Sequence, residues 1–193
     1  MNKLGYKLPK ILLASKSPRR KELLSQLEVD FEIISVDVDE SIQSDENPKV
    51  YVKRVAKEKA EAGLKIFPAN KILGADTIVV LEDEILLKPT DKSDHINMLK
   101  KLSGKTHHVL TAVALANSHE TKTIMTETAV TFRVLNENEI NHYWDTGEPQ
   151  DKSGGYASQG IASIFIKRIE GSWSGVVGLP LFETFELIKK EES

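Results

Sequence analysis

Ile72-Leu73-Gly74-Ala75-Asp76-Thr77-Ile78-Val79-Val80-Leu81 is an apolar, largely β-branched run interrupted by one carboxylate. Such a run predicts a strand covered on both faces, because a half-exposed strand would alternate apolar and polar residues. Upstream, residues 11–14 read as a short buried strand. Ser17 then caps a helix that has Pro18 at its first position and Leu23, Leu24 and Leu27 as its buried stripe. Residues 31–36 alternate as a strand. Asn47-Pro48 opens a second helix with Val52, Val55, Ala56 and Ala60 on one face, ending near Gly63. Downstream, Glu82-Asp83-Glu84 is a turn into a strand at 85–87, and a third helix spans 91–102. Residues 108–116 and 121–135 are strands joined by a polar turn at 117–120. A short helix at 137–144, a glycine-rich loop at 148–160, a strand at 161–169 and a last helix at 181–190 complete the chain. The pattern predicts an α/β fold with a mixed, partly antiparallel sheet flanked by helices. A purely parallel doubly wound sheet fits less well, because the middle reads as antiparallel hairpins.

The 193 residues are enough for one domain with a real core, and the expectation is a single domain over 1–193, with room for two lobes around a central cleft. Forty per cent hydrophobic and 28% charged residues exclude a disordered or collagen-like chain. With 26 basic and 29 acidic side chains the balance is near neutral, which speaks against a nucleic-acid coat protein and leaves room for a local basic site. The chain has no cysteine, so a disulfide scaffold, thiolate metal site or cysteine nucleophile is excluded. No segment approaches the ~20 apolar residues that span a bilayer. The apolar stretch 11–14 is too short for a signal peptide, so a cytoplasmic protein with no membrane partner is expected.

Three places break local rules, and functional sites concentrate where such rules fail. The first is Ser15-Lys16-Ser17-Pro18-Arg19-Arg20. A helix N-terminus carries partial positive charge, so arginines in its first turn are unfavourable unless an anion answers them. Two serines, open amides and two guanidinium groups suit a phosphate, although a solvated basic helix start is the plainer alternative. The second is Asp76 inside the apolar run. A buried carboxylate must meet a cation, a metal or strong donors. It either pairs with a structural Arg or Lys, or holds a metal and draws a proton from water, as phosphoanhydride hydrolysis requires. The third is a pair of lysines. Lys59 follows Val55 by four positions and so falls on the apolar stripe of its helix, while Lys88 ends the strand after Asp76. Each either lays its stem along the core or points at a phosphate.

Other signals fail on inspection. Gly104-Lys105-Thr106 lacks the upstream glycine of a P-loop, since Leu99 stands there. His107 and His108 would face opposite sides of a strand, and His119 has no partner at metal-ligand spacing. Trp144 and Trp173 read as packing or rim residues.

Taken in order, residues 13–20 with Leu23-Leu24, Gly74-Ala75-Asp76-Thr77, Leu87-Lys88-Pro89, Leu102-Ser103-Gly104, residues 151–156, Gln159-Gly160 and Val177-Gly178-Leu179-Pro180 resemble the Maf family of nucleoside triphosphate pyrophosphatases over nearly the whole chain. One position departs: Ser158 stands where an aliphatic residue is expected. The resemblance implies an ITPase-like fold and a hydrolase that cleaves between the α- and β-phosphates with a divalent cation (Mg2+, Mn2+ or Co2+). It implies that Asp76 is the proton acceptor and, with Glu40, a metal ligand. It further implies that Arg19, Thr77 and Gln159 mark the branch that prefers dTTP and UTP, including modified pyrimidine analogues in a house-cleaning role. Ser15, Ser17, Arg20, Lys59 and Lys88 are then the phosphate-binding set, and a homodimer is the family precedent. The alternatives are the sister branch acting on 7-methyl-GTP and a non-catalytic nucleotide-binding regulator of septum formation. A Gln amide offers a donor and an acceptor together, which suits the edge of uracil or thymine.

Overall fold

A computed structural model of the chain describes residue 3 and residues 5–190. In it the doubly covered run is the sheet's central strand, β3 (Lys71–Leu81). Along one edge β3 pairs antiparallel with β5 (Thr106–Ala116). Two shorter strands share the other edge: β1 (Ile11–Ala14) pairs in parallel with residues 71–74, and β4 (Glu84–Leu86) pairs antiparallel with residues 79–81. Beyond β1 lies parallel β2 (Phe31–Ile34). Beyond β5 lie antiparallel β6 (Thr121–Phe132) and β7 (Ile166–Glu170). The order β2-β1-β3-β5-β6-β7, with β4 beside β3, is the mixed sheet the sequence predicts.

Alternation along β3 divides the helices between two faces. Ile78 and Val80 pack under α2 (Pro48–Ile66), against Val52, Val55 and Ala56. On the opposite face Leu73 and Ala75 pack with α1 (Pro18–Ser25) and α6 (Leu181–Lys189), through Leu23, Leu24, Leu187 and Ile188. Val79 and Leu81 pack with α3 (Lys92–Leu102) and α4 (Glu137–Asp145), through Leu99, Leu102, Ile140 and Tyr143. Thr77 falls at the seam between these two groups. Gly74 lets α2 approach: a Cβ there would stand 2.4 Å from the Ala56 carbonyl oxygen and 2.6 Å from the Ala60 nitrogen.

Several boundaries differ from the sequence reading. Residues 161–165 are a 3-10 turn (Ile161–Phe165), not the start of a strand: Ala162 and Phe165 are buried while Ile161 and Ile164 are exposed, a period of three that extended chain cannot give. β2 stops at Ile34, where its partner β1 ends at Ala14. α2 runs past Gly63 to Ile66, because Gly63 admits close contact with Ile72 and Ile34 rather than ending the helix. A short helix, α5 (Trp173–Val177), capped by Ser172, is absent from the sequence reading. The hydroxyl of Ser17 makes no capping hydrogen bond, although the residue occupies the N-cap position. Among the described residues no helix is long and apolar enough to cross a membrane. The one-domain reading over 1–193 also takes in residues 1, 2, 4 and 191–193, which lie outside those described.

Candidate active site

β1 and β4 leave residues 75–78 of β3 uncovered on one edge, and a cleft of ≈ 710 Å³ opens there. Its walls are the turn from β1 into α1, the chain after β4, the segment 151–158 and the end of α5. The 151–158 segment is bolted to the sheet. Ser153 Oγ donates to the Leu86 carbonyl at 2.7 Å and accepts from the Val79 amide at 3.2 Å. Gly154, at φ 70°, packs so tightly that a Cβ would stand 2.8 Å from Val79. Below it, Tyr156 Oη and His107 Nε2 are 2.7 Å apart in the core.

One wall is cationic. The half-buried Arg20 is held at three points: Nε donates to the Gly178 carbonyl at 2.9 Å, Nη2 to Thr77 Oγ1 at 3.1 Å and Nη1 to Ser15 Oγ at 3.3 Å. Burial draws the guanidinium pKa down, Asp76 opposes that, and neighbouring Arg19 adds to it. An anion in the cleft would relieve both penalties. Lys16, Ser17, Arg19, Lys88 and Lys152 also line the cleft. Asp151 pairs with Lys152, and its carboxyl is held below the ordinary value: partial burial works against this, but the Lys152 ammonium and then Arg19 prevail.

The cleft also carries the acids Asp76 and Glu40. Asp76, 7% exposed, places Oδ1 3.0 Å from Lys59 Nζ, and Glu40 Oε1 is also 3.0 Å from that nitrogen. Of the two outcomes weighed for Asp76, the ion pair with a lysine is what the structure shows, and that pair lines the cleft. The loop carrying Glu40 is clamped by α2. Tyr51 Oη donates to the Glu40 carbonyl at 2.8 Å, while Arg54 donates to the carbonyls of Asp39 at 3.3 Å and Ser41 at 2.9 Å. Arg54 itself is oriented by Glu46, 2.7 Å from its Nε. Burial, then the charges of Asp76 and Glu40, push the Tyr51 phenol up to about 12, so it remains a donor.

The donors suit a hard divalent cation. Two carboxylate oxygens, from Asp76 and Glu40, share the Lys59 ammonium at the cleft, and hard cations such as Mg2+ take oxygen ligands, typically one or two carboxylates supplemented by substrate phosphates and water. Among the described residues no group of three or more His, Cys, Asp or Glu could hold a metal by itself, so these two carboxylates would supply only part of a cation's shell.

Of the residues singled out from sequence, Ser15, Ser17, Arg19, Arg20, Glu40, Lys59, Asp76, Thr77 and Lys88 all line this one cleft. Gln159 is exposed and stands one residue beyond the lining, where Ser158 is the last member of its segment. The turn that follows is pinned by Glu148, which accepts from the amides of Ile161 at 3.0 Å and Ala162 at 3.3 Å. Sequence reasoning missed Tyr51, Arg54 and Glu148. An aromatic residue near a helix start reads as core and a surface Arg as solvated, so none of them violates a local rule.

Comparison with known proteins extends this picture. A family profile described as "Maf-like protein" matches residues 10–191. A protein of Pseudoalteromonas translucida (strain TAC 125) named dTTP/UTP pyrophosphatase is 48% identical over 180 residues, covering 93% of this chain and 95% of its own. A protein of Salmonella typhimurium (strain LT2) with the same name is 49% identical over 179 residues, covering 92% of this chain and 91% of its own. The solved structure of a HAM1 protein from Coxiella burnetii aligns with a TM-score of 0.52 at 13% identity, covering 95% of this chain and 100% of that one, which is a likeness of fold.

Proposed function

The chain belongs to the Maf-like protein family, and from that premise we propose that it hydrolyses nucleoside triphosphates, preferentially dTTP and UTP, to the monophosphate and pyrophosphate. The observation that carries this reading is one cleft lined both by a cationic set, Arg20 with its basic neighbours, and by an acidic pair, Asp76 and Glu40. A triphosphate is a dense anion that needs the first. Anhydride cleavage by water needs an acceptor for the proton, which the second provides.

Arg20, with Ser15 and the open amides at the start of α1, grips the phosphate chain, and Lys16, Arg19 and Lys88 offset its charge. Asp76 takes a proton from the water that adds across the α–β anhydride, and the pyrophosphate leaves toward the cationic wall. Lys59 offsets the charge of Asp76 and Glu40. A divalent cation (Mg2+, Mn2+ or Co2+) held by Asp76 and Glu40 would supply electrostatic stabilisation of the phosphate oxygens. Arg19, Thr77 and Gln159 set the preference for thymine and uracil, Gln159 by presenting donor and acceptor together. A single-domain homodimer in the cytoplasm belongs to the same reading, and light scattering of the purified protein tests its oligomeric part.

The deciding experiment is pyrophosphate release from a panel containing dTTP, UTP and 7-methyl-GTP, with and without Mg2+ or Mn2+. Preference for dTTP and UTP, dependent on metal, is expected. Preference for 7-methyl-GTP would move the chain to the sister branch. Nucleotide binding without any release of pyrophosphate would make it a regulator instead.

A further inference from the structure

We propose that Thr111 is a positioning residue for Arg20, acting through Thr77. This rests on the proposed hydrolase reading and adds to it a residue outside the cleft lining. Thr111 is fully buried in the middle of β5, between the apolar Val109 and Val113 on the same face. In the register of β3 and β5 it stands directly opposite Thr77. Both threonines fall at the seam between the two cores on that face: Val109 packs with the α3–α4 group, and Val113 and Leu115 pack with the α1–α6 group.

The Thr111 hydroxyl is shared between two acceptors, the Gly175 carbonyl at 2.7 Å and Thr77 Oγ1 at 3.0 Å. Thr77 Oγ1 also accepts from Arg20 Nη2 at 3.1 Å. A hydroxyl oxygen has two lone pairs, so Thr111 and Arg20 occupy both, and the Thr111 contact fixes the rotamer in which Thr77 meets the guanidinium. These contacts link Arg20 through Thr77 and Thr111 to Gly175 in α5, and Arg20 Nε donates to the Gly178 carbonyl just past the end of that helix.

A double-mutant cycle on kcat and KM for dTTP tests this. Thr111→Val keeps the shape and removes the hydroxyl; KM should rise about tenfold while kcat changes by less than about threefold. Thr111→Ser restores the donor and should return KM to within about twofold of wild type. In an Arg20→Ala background, Thr111→Val should cost nothing further, because the group it orients is gone. Wild-type kinetics for Thr111→Val, or the same penalty in the Arg20→Ala background, would overturn the proposal and leave Thr111 a staple between β5 and α5. A melting curve accompanies each variant, and Thr111→Ala replaces Thr111→Val in the cycle if the latter does not fold. Turnover by the wild type reads the hydrolase proposal separately. If the wild type binds dTTP without cleaving it, the cycle is measured by calorimetric dTTP binding and the same comparison decides.

Discussion

Lys59 Nζ lies 3.0 Å from Asp76 Oδ1, joining the second helix to the central strand through two side chains that are each about nine-tenths buried (12% and 10% exposed). Glu40 reaches the same ammonium from a separate loop. The pair is therefore both a structural tie and the acidic half of the cleft, and substitution at its two ends should separate those roles.

Asp76→Asn keeps the shape and the Lys59 contact but removes the proton acceptor. Pyrophosphate release should fall by about 10²–10⁴-fold while dTTP binding stays measurable by calorimetry. Near-normal turnover would take Asp76 out of the reaction. Lys59→Met should behave differently and lower the urea midpoint, by roughly 3 kcal/mol in stability, because Asp76 is left buried without its partner.

Gly74→Ala should damage both fold and turnover although it adds only one methyl group. The new Cβ meets backbone atoms of α2 at Ala56 and Ala60, which cannot rotate away. The helix that carries Lys59 would have to lift from β3, at a cost of about 1–3 kcal/mol. Denaturant unfolding gives the cost, and an unchanged midpoint would show that α2 yields freely.

Stability should fall on acidification because of His107. Burial lowers its pKa from 6.5 to about 3. Between those values the unfolded chain binds a proton that the folded protein excludes. Its contribution is thus full above pH 6.5 and is lost as the pH drops toward 3, by up to about 1.4 kcal/mol per pH unit. His95, buried against Tyr143 and Trp144 and shifted in the same direction by burial, adds to the slope. His107→Gln keeps an amide within reach of Tyr156 and should flatten urea-derived stability between about pH 7 and about pH 5. An unaltered slope would mean that other groups carry it.

Gln159→Glu should erode the preference for thymine and uracil, because a carboxylate loses the amide donor of the pair. The ratio of kcat/KM for dTTP to that for 7-methyl-GTP measures it, and a ratio equal to wild type would remove Gln159 from base selection.

Most elements could be read locally. Asn47-Pro48 at the start of α2, Pro18 at the start of α1 and the β-branched run of β3 are signals carried by adjacent residues. Residues 161–165 misled because an apolar stretch fits a strand or a 3-10 turn until its neighbours choose which side chains are buried. Of the site, the residues that violate a local rule were visible: Asp76 in an apolar strand, arginines at a helix N-terminus, and Lys59 on an apolar stripe. Thr111 was not, because threonine is an ordinary strand residue.

The order of residues along the chain was sufficient for the mixed sheet and for the candidates Arg20, Lys59 and Asp76, since periodicity and misplaced charge are properties of neighbours. Only the tertiary structure decided that β1 and β4 leave a gap on one edge of β3, that Lys59 sits between Asp76 and Glu40, and that Thr111 stands across from Thr77. Lys59 and Asp76 are 17 positions apart in the chain and Thr77 and Thr111 are 34 apart, so these relations depend on strand register and close helix approach, which arise from packing across the whole core.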